Sequence, residues 1–342
     1  AAGAAALLGV DPRSGSVRWR APGAAWAAIE GRALLAAAGS RLASLDPASG
    51  RERWARPLPT PDQRLPGALL RLRGGPLLLA AGPRLAALDP SGAFPWRFDP
   101  PGASRVAAAA FGALAAVAAD SGLLYGLDGG GRTAWRLVLP GPPGGPPVAF
   151  GALCAVACST AVGGAVLALD PATGRRAWEA PLDFAPSGPP LPFAGRLAVP
   201  GTVAGDPVVA AVEPGGAVAW TAAPPLGRGA PALAASGGLL VVRGGNGSCA
   251  GLSRDGAARW LQPRGPLHPP PPGLAAHVAR GVVVVPGDPV LALDAASGAP
   301  LGQARLPPPA RLLVDAELGL LAMDADGLVA AARLSSRLGV VG

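Results

Sequence analysis

The sequence predicts an all-β chain folded as a single β-propeller, with eight four-stranded blades as the leading count and seven or nine as alternatives. Three observations carry that prediction. An acidic turn is followed at fixed spacing by Trp, the unit recurs about every 40 residues, and short apolar runs alternate with Gly, Pro, Asp and Ser throughout.

The turn comes first. Leu45-Asp46-Pro47-Ala48-Ser49-Gly50 leads to Trp54, Leu169-Asp170-Pro171-Ala172-Thr173-Gly174 to Trp178, and Val10-Asp11-Pro12-Arg13-Ser14-Gly15 to Trp19. Looser copies run from Asp89 to Trp96 and from Asp128 to Trp135, while Glu213 precedes Trp220 and Ser253 precedes Trp260. The acidic position and the Trp lie seven or eight residues apart, and successive Trp residues lie 35, 42, 39, 43, 42 and 40 apart, the period of one propeller blade. An eighth copy, Leu293-Asp294-Ala295-Ala296-Ser297-Gly298, has Gly302 where Trp would fall, and a ninth, Leu334 to Gly339, is further degraded. Asp at the start of such a turn can accept hydrogen bonds from turn amides, Pro fits the next position, and Gly supplies positive φ. The Trp strand is read as the outer strand of its blade, its indole packing between neighbouring blades.

Between each Trp and the next Leu-Asp lie two more apolar runs, such as Ala33 to Ala38 and Gly238 to Val242, followed by turn residues such as Asp120-Ser121-Gly122. Each unit therefore reads as four short strands. The chain begins with the last two strands of a unit, near Leu7 to Trp19, and ends with the first three of another. One domain over residues 1–342 is expected, its ring closed by pairing N-terminal with C-terminal strands. Residues 148–169 form a 22-residue uncharged stretch. The repeat reads it as strands broken at Gly163-Gly164, not as a membrane-spanning helix.

Composition narrows function. The chain has 342 residues, a formal charge of +8, 51 Gly, 42 Pro and no Lys, so every basic residue is Arg. Without Lys, a P-loop, a Schiff-base lysine and a Ser-Lys dyad are excluded. The Arg residues are scattered, as in Arg18, Arg53, Arg97, Arg136, Arg175 and Arg259, and aromatics are few, which argues against a nucleic-acid partner. Cys154 and Cys158 share one face of a strand about 13 Å apart, too far to bridge. With Cys249 they read as buried free thiols.

The string Ala168-Leu169-Asp170, Thr173-Gly174, Trp178 resembles the repeat of PQQ-like (quinoprotein-type) propellers, including BamB-like members, and the resemblance covers nearly the whole chain. It implies a structural repeat: Asp11, Asp46, Asp89, Asp128, Asp170 and Asp294 as turn positions, and Trp19, Trp54, Trp96, Trp135, Trp178, Trp220 and Trp260 as seam positions. Quinoprotein dehydrogenases are expected to carry adjacent cysteines and a calcium site with Glu, Asn and Asp. Here no two cysteines are adjacent and Asn246 is the only Asn. Asn246-Gly247 reads as a hairpin turn and, with Ser248, as a glycosylation sequon only in a secreted eukaryotic protein.

Other candidate sites read as structure. Asp324-Ala325-Asp326-Gly327 lacks the Glu of a calcium loop, Ser335 standing in its place, and is taken as a turn. His268 sits in a Pro-rich connector and His277 in the first strand of a unit. No catalytic residue, metal site or cofactor is expected. The resulting expectation is a monomeric, non-enzymatic scaffold for protein partners, with no transmembrane segment, compatible with peripheral membrane association. The resemblance alone suggests a periplasmic or outer-membrane location. The alternatives are a regulatory or ligand-sensing propeller of a larger enzyme and, behind it, a PQQ-dependent dehydrogenase. Of the longest irregular connectors, Pro140 to Pro147 and Pro263 to Pro272, one is expected to flank the binding face.

Overall fold

The structure is a computed structural model that describes residues 6–10, 17–22, 24, 26–30, 33–59, 66–263, 276–279, 281–286, 290–304, 309–315, 319–324 and 329–332. The chain forms two compact units, Ala1–Pro147 with Leu169–Arg175 and Ala325–Val329, and Val148–Ala168 with Arg176–Asp324 and Ala330–Gly342. Every regular element among the described residues is a strand, and within each sheet the strands pair antiparallel, almost always in chain order.

The first unit opens with a two-stranded sheet, Ala6–Val10 and Val17–Pro22. Three four-stranded sheets follow. The first comprises Trp26–Glu30, Ala33–Ala38, Arg41–Leu45 and Glu52–Pro57. The second comprises Pro66–Arg71, Leu77–Ala81, Arg84–Leu88 and Arg97–Phe98. The third comprises Val106–Phe111, Leu114–Ala119, Leu123–Leu127 and Thr133–Val138.

The second unit holds most of the sheet Val148–Phe150, Leu153–Thr160, Gly163–Leu169 and Arg176–Leu182. The five-stranded sheet that follows splits its first strand into Ala185–Pro186 and Leu191–Phe193, both paired with Arg196–Val203, then adds Asp206–Val212 and Val218–Ala222. Two more four-stranded sheets span residues 232–262 and 277–304. A three-stranded sheet, Pro309–Asp315, Gly319–Asp324 and Val329–Ala332, comes last.

The uncharged stretch 148–169 is strands, but the hairpin turn falls at Ala161-Val162, one step before the two glycines. Those glycines serve another purpose. A Cβ on Gly163 would sit 2.4 Å from the Leu182 carbonyl oxygen, and one on Gly164 2.3 Å from Pro186 Cδ, so they let the neighbouring chain pass close by. At residues 204–205 the turn has positive φ at both positions, 51° at Ala204 and 90° at Gly205, the pattern of a type I′ hairpin.

The middle strands explain why the apolar runs are continuous and do not alternate. Leu77–Ala81 and Leu239–Arg243 are buried at every residue, because successive sheets stack on both of their faces. One core layer joins Leu78, Leu85, Val117 and Leu127, and another joins Val199, Val208, Ala157 and Val166. Trp26, the tryptophan that stands outside the repeat, is buried with Leu42 and Leu79. The fourth strands lie at the sheet edge and are largely exposed.

Tryptophan is the fastener between sheets. The indole Nε1 of Trp19, Trp54, Trp96, Trp135, Trp220 and Trp260 donates to the carbonyl of Pro47, Pro90, Gly129, Pro171, Arg254 and Ala295, at 2.9–3.0 Å. In each case the acceptor is the residue after the acidic position, or its Ser replacement, of the next repeat. The ring lies on the glycine that ends the same turn. A Cβ on Gly50, Gly92, Gly131, Gly174, Gly256 or Gly298 would fall 2.5–2.7 Å from a ring atom. These glycines also have positive φ, so two independent constraints exclude a side chain there.

On its own sheet the Trp stands opposite a small residue. Trp54 pairs with Ser44, Trp135 with Gly126, Trp220 with Ala211 and Trp260 with Gly251. The spacing of seven or eight also finds its cause. Turns after Asp46, Asp170 and Asp294 close from the glycine N–H four residues on, whereas those after Asp89, Asp128, Glu213 and Ser253 close from three residues on. The extra turn residue is absorbed there, and the Trp keeps its register.

Replacing Gly174 (φ 69°) with Ala combines left-handed strain with overlap onto Trp135, whereas Gly112 (φ 62°) has no atom within 4 Å of a Cβ. Gly112→Ala is expected to cost about 1 kcal/mol and Gly174→Ala about 3 kcal/mol or more in urea unfolding. Equal costs would remove the fastener from the argument.

Candidate functional site

The repeated carboxylates face their own turns. Asp46 Oδ1 accepts from the N–H of Ala48 and Ser49 and from the Ser49 hydroxyl, each at 3.0 Å, while Oδ2 pairs with Arg53 at 2.6 Å. Asp170 accepts from Ala172 and Thr173 N–H, Asp294 from Ala296 and Ser297, Asp89 from Ser91 and Ala93, and Asp128 from Gly130 and Arg132. Asp11 lies outside the described residues. Glu213 differs: its longer side chain reaches Arg196 at 2.7 Å. At that turn Trp178 Nε1 is buried without an acceptor, and Gly216 stands further from the ring, at 3.0 Å.

These bonds set the acidity of the carboxylates. The Arg53 guanidinium, with the amide and hydroxyl of Ser49, holds Asp46 down at about 2. Asp89 is lowered chiefly by the Ser91 hydroxyl and Asp294 by that of Ser297. A carboxyl that is more acidic folded than unfolded stabilises fully above its unfolded value and loses that contribution as pH falls through its folded value.

The thiols and imidazole offer little chemistry. Cys154, Cys158 and Cys249 are buried and form no disulfide, and burial pushes the thiols of Cys154 and Cys249 up to about 12, so both stay protonated at neutral pH. His277 lies in the strand His277–Ala279 and burial lowers its pKa. Asn246 Oδ1 accepts from both the N–H and the hydroxyl of Ser248, at 3.0 and 2.6 Å. That Asn oxygen is thus committed to its own turn. Among the described residues no three His, Cys, Asp or Glu side chains come together to hold a metal. His268, Asp326 and residues 264–272 of the Pro-rich connector lie outside the described residues.

The first unit contains a concave feature that no motif announces. A cleft of about 460 Å³ is lined by Arg56, Pro57, Leu58, Arg84, Phe94 and Arg97 among others. Arg84 forks onto Asp99, Nε to Oδ1 and Nη2 to Oδ2 at 2.6 Å each, and its Nη1 donates to the Pro59 carbonyl. Arg97 stands 5.9 Å over the Phe94 ring, and Arg56 Nη2 reaches the Ser91 carbonyl at 3.3 Å. Because Arg56, Arg84 and Arg97 come from three strands of two sheets, no local spacing in the sequence marks them.

Four-stranded antiparallel sheets in tandem, most of them fastened to the next turn by a tryptophan, define a β-propeller of structural repeats. Seven complete sheets, with two strands at one end of the chain and three at the other, accord with eight blades. The chain belongs to the PQQ-like family described as outer membrane protein assembly factor BamB, whose model matches residues 81–183 and 162–341. No curated protein matches it. Among solved structures, BamB from Moraxella catarrhalis is similar at 17% identity, covering 89% of this chain and 94% of that one with a TM-score of 0.65. The computationally designed Ika8 protein is similar at 12% identity, covering 89% and 93% with a TM-score of 0.64. The dihydro-heme d1 dehydrogenase NirN is similar at 14% identity, covering 89% and 72% with a TM-score of 0.60. At such identities the likeness concerns the fold.

Thermal melts between pH 7 and pH 2 are expected to show stability falling from about pH 4 toward pH 2. Asp46→Asn should flatten part of that fall, whereas Gly112→Ala should shift the curve without changing its slope. A variant curve parallel to that of the parent would show that Asp46 carries none of it.

Proposed function

We propose that this chain is a non-catalytic propeller that acts as a scaffold for protein–protein contacts in outer-membrane protein assembly, at the periplasmic side of a bacterial envelope. The observation that carries this reading is the family match over residues 81–341. It is supported by the chemistry of the repeat: the recurring carboxylates bind their own turns and most of the recurring indoles bind the next one, leaving function to the surfaces between and around the sheets. No helix among the described residues is long and apolar enough to cross a membrane.

The test is an affinity pull-down with the purified chain against membrane and soluble extracts, with a propeller of unrelated sequence as control. Reproducible recovery of an outer-membrane barrel protein or its assembly factors is the expected result. Recovery of nothing above the control would overturn the scaffold reading and direct attention to a ligand-sensing role beside a larger enzyme.

We also infer that residues 1–342 form one domain, closed by pairing of the N-terminal and C-terminal strands. A circular permutant opened between Ala161 and Val162, in a hairpin turn where Val162 is 92% exposed, with the natural ends joined by a short Gly-Ser linker, should keep the parent melting temperature. A permutant that fails to fold at every linker length, while the same chain cut at Ala161 without relocation still folds, would refute closure.

A further inference from the structure

We propose that the arginine-lined cleft of the first unit is the docking site for a carboxylate-bearing, extended peptide segment of a partner protein. The proposal rests on the scaffold reading and names the surface and the partner chemistry.

The cleft follows from the fastener beside it. Trp54 and Arg56 lie two residues apart on one edge strand, so they project to the same side. The Trp54 indole docks on Pro90 and Gly92, and that step lays Arg56 along the same turn, at Ser91. Arg97 lies on the side of its short strand opposite to Phe98, whose ring packs edge-on against Tyr125 at 5.0 Å. Arginines from two sheets thus converge on one concavity.

The charges there do not cancel. Arg84 is neutralised by the fork on Asp99, and its remaining nitrogen is held by Pro59, which makes it a fixed wall. No carboxylate pairs with Arg56 or Arg97 among the described residues. Arg56 touches only carbonyl oxygens, and Arg97 lies over the Phe94 ring. Among the described residues two guanidinium groups therefore line the cleft without a paired carboxylate, and Phe94, Leu58 and Pro57 add apolar surface to its lining.

That combination selects the occupant. Guanidinium forks match planar carboxylates bidentately. A phosphate site would instead gather backbone N–H donors on one point, and this cleft offers carbonyls, a ring and prolines. Apolar surface beside the cations suits a peptide that alternates acidic and apolar side chains. The volume accommodates a few side chains.

The test uses the full chain and a pentapeptide with fluorescein on its N-terminal amine in place of an acetyl group, fluoresceinyl-Val-Asp-Phe-Asp-Val-amide, against the same peptide with both Asp replaced by Asn. Anisotropy titrations at low salt should show the acidic peptide binding at least about tenfold more tightly than its amide counterpart. R56Q and R97Q should each remove about tenfold, while R136Q, on an exposed edge strand elsewhere, leaves binding unchanged. Both altered residues are exposed and lie outside ion pairs, and a melting curve for each variant verifies that it folds. Equal binding of the two peptides, or R56Q and R97Q chains that bind like the parent, would overturn the proposal. So would capture of phosphatidylglycerol vesicles or inorganic phosphate through Arg56 and Arg97 without discrimination between the peptides. Repeating the pull-down with the R56Q/R97Q chain separates the two readings. Partners recovered equally by both chains leave the scaffold standing and remove the cleft, whereas a parent chain that recovers none removes the scaffold.

Discussion

The contact on which this structure depends joins one tryptophan to one turn. An indole contributes a large apolar face and a single N–H, and a buried N–H needs an acceptor. The turn of the following repeat supplies both halves of the answer, a glycine under the ring and a carbonyl beside it. The turn can do so only while its backbone is rigid, and the Asp carboxylate makes it rigid by binding two or more turn donors. Asp, Gly and Trp are therefore parts of one device distributed over two repeats. Their regular recurrence follows from geometry, because a change in any one disturbs the seat of another.

This device explains how much of the molecule could be read from the chain. Asp-Pro-x-Ser/Thr-Gly is a local unit, and its hydrogen bonds close within four residues, so the turns were legible. The all-β character was legible because runs such as Leu77–Ala81 are too short for helices and are bounded by turn residues. The destination of each indole was not, since the acceptor lies 28 to 36 residues away and is a main-chain oxygen that carries no side-chain signature. The meaning of the seven- and eight-residue spacings lies in which glycine N–H closes each turn. The expected break at Gly163-Gly164 was displaced because glycine was read as a turn former, whereas at these two positions it answers a close approach of the chain near Leu182 and Pro186.

The candidate site was less legible than the fold. Arg97 and Arg136 look alike in the sequence, each on an edge strand near a Trp. What separates them is the company that folding brings: Phe94 beneath one guanidinium, Arg56 across the cleft, and an Asp99 already occupied by Arg84. Charge that is scattered along the chain becomes local only when two sheets stack. In a repeat protein this is a general difficulty, since the repeat reports what every sheet needs and is silent about what one pair of sheets does.

The Glu213 turn carries a consequence for the tryptophan beside it. Among the described residues six other tryptophans plug a sheet into its successor. At Trp178 the plug is looser: the carboxylate that would stiffen the socket is drawn to Arg196, the ring stands off, and the indole proton has no acceptor. The second unit thus contains one joint that lacks the indole hydrogen bond. That joint rests on ring packing alone, with Phe150 edge-on to the indole at 6.4 Å, where its counterparts add a hydrogen bond.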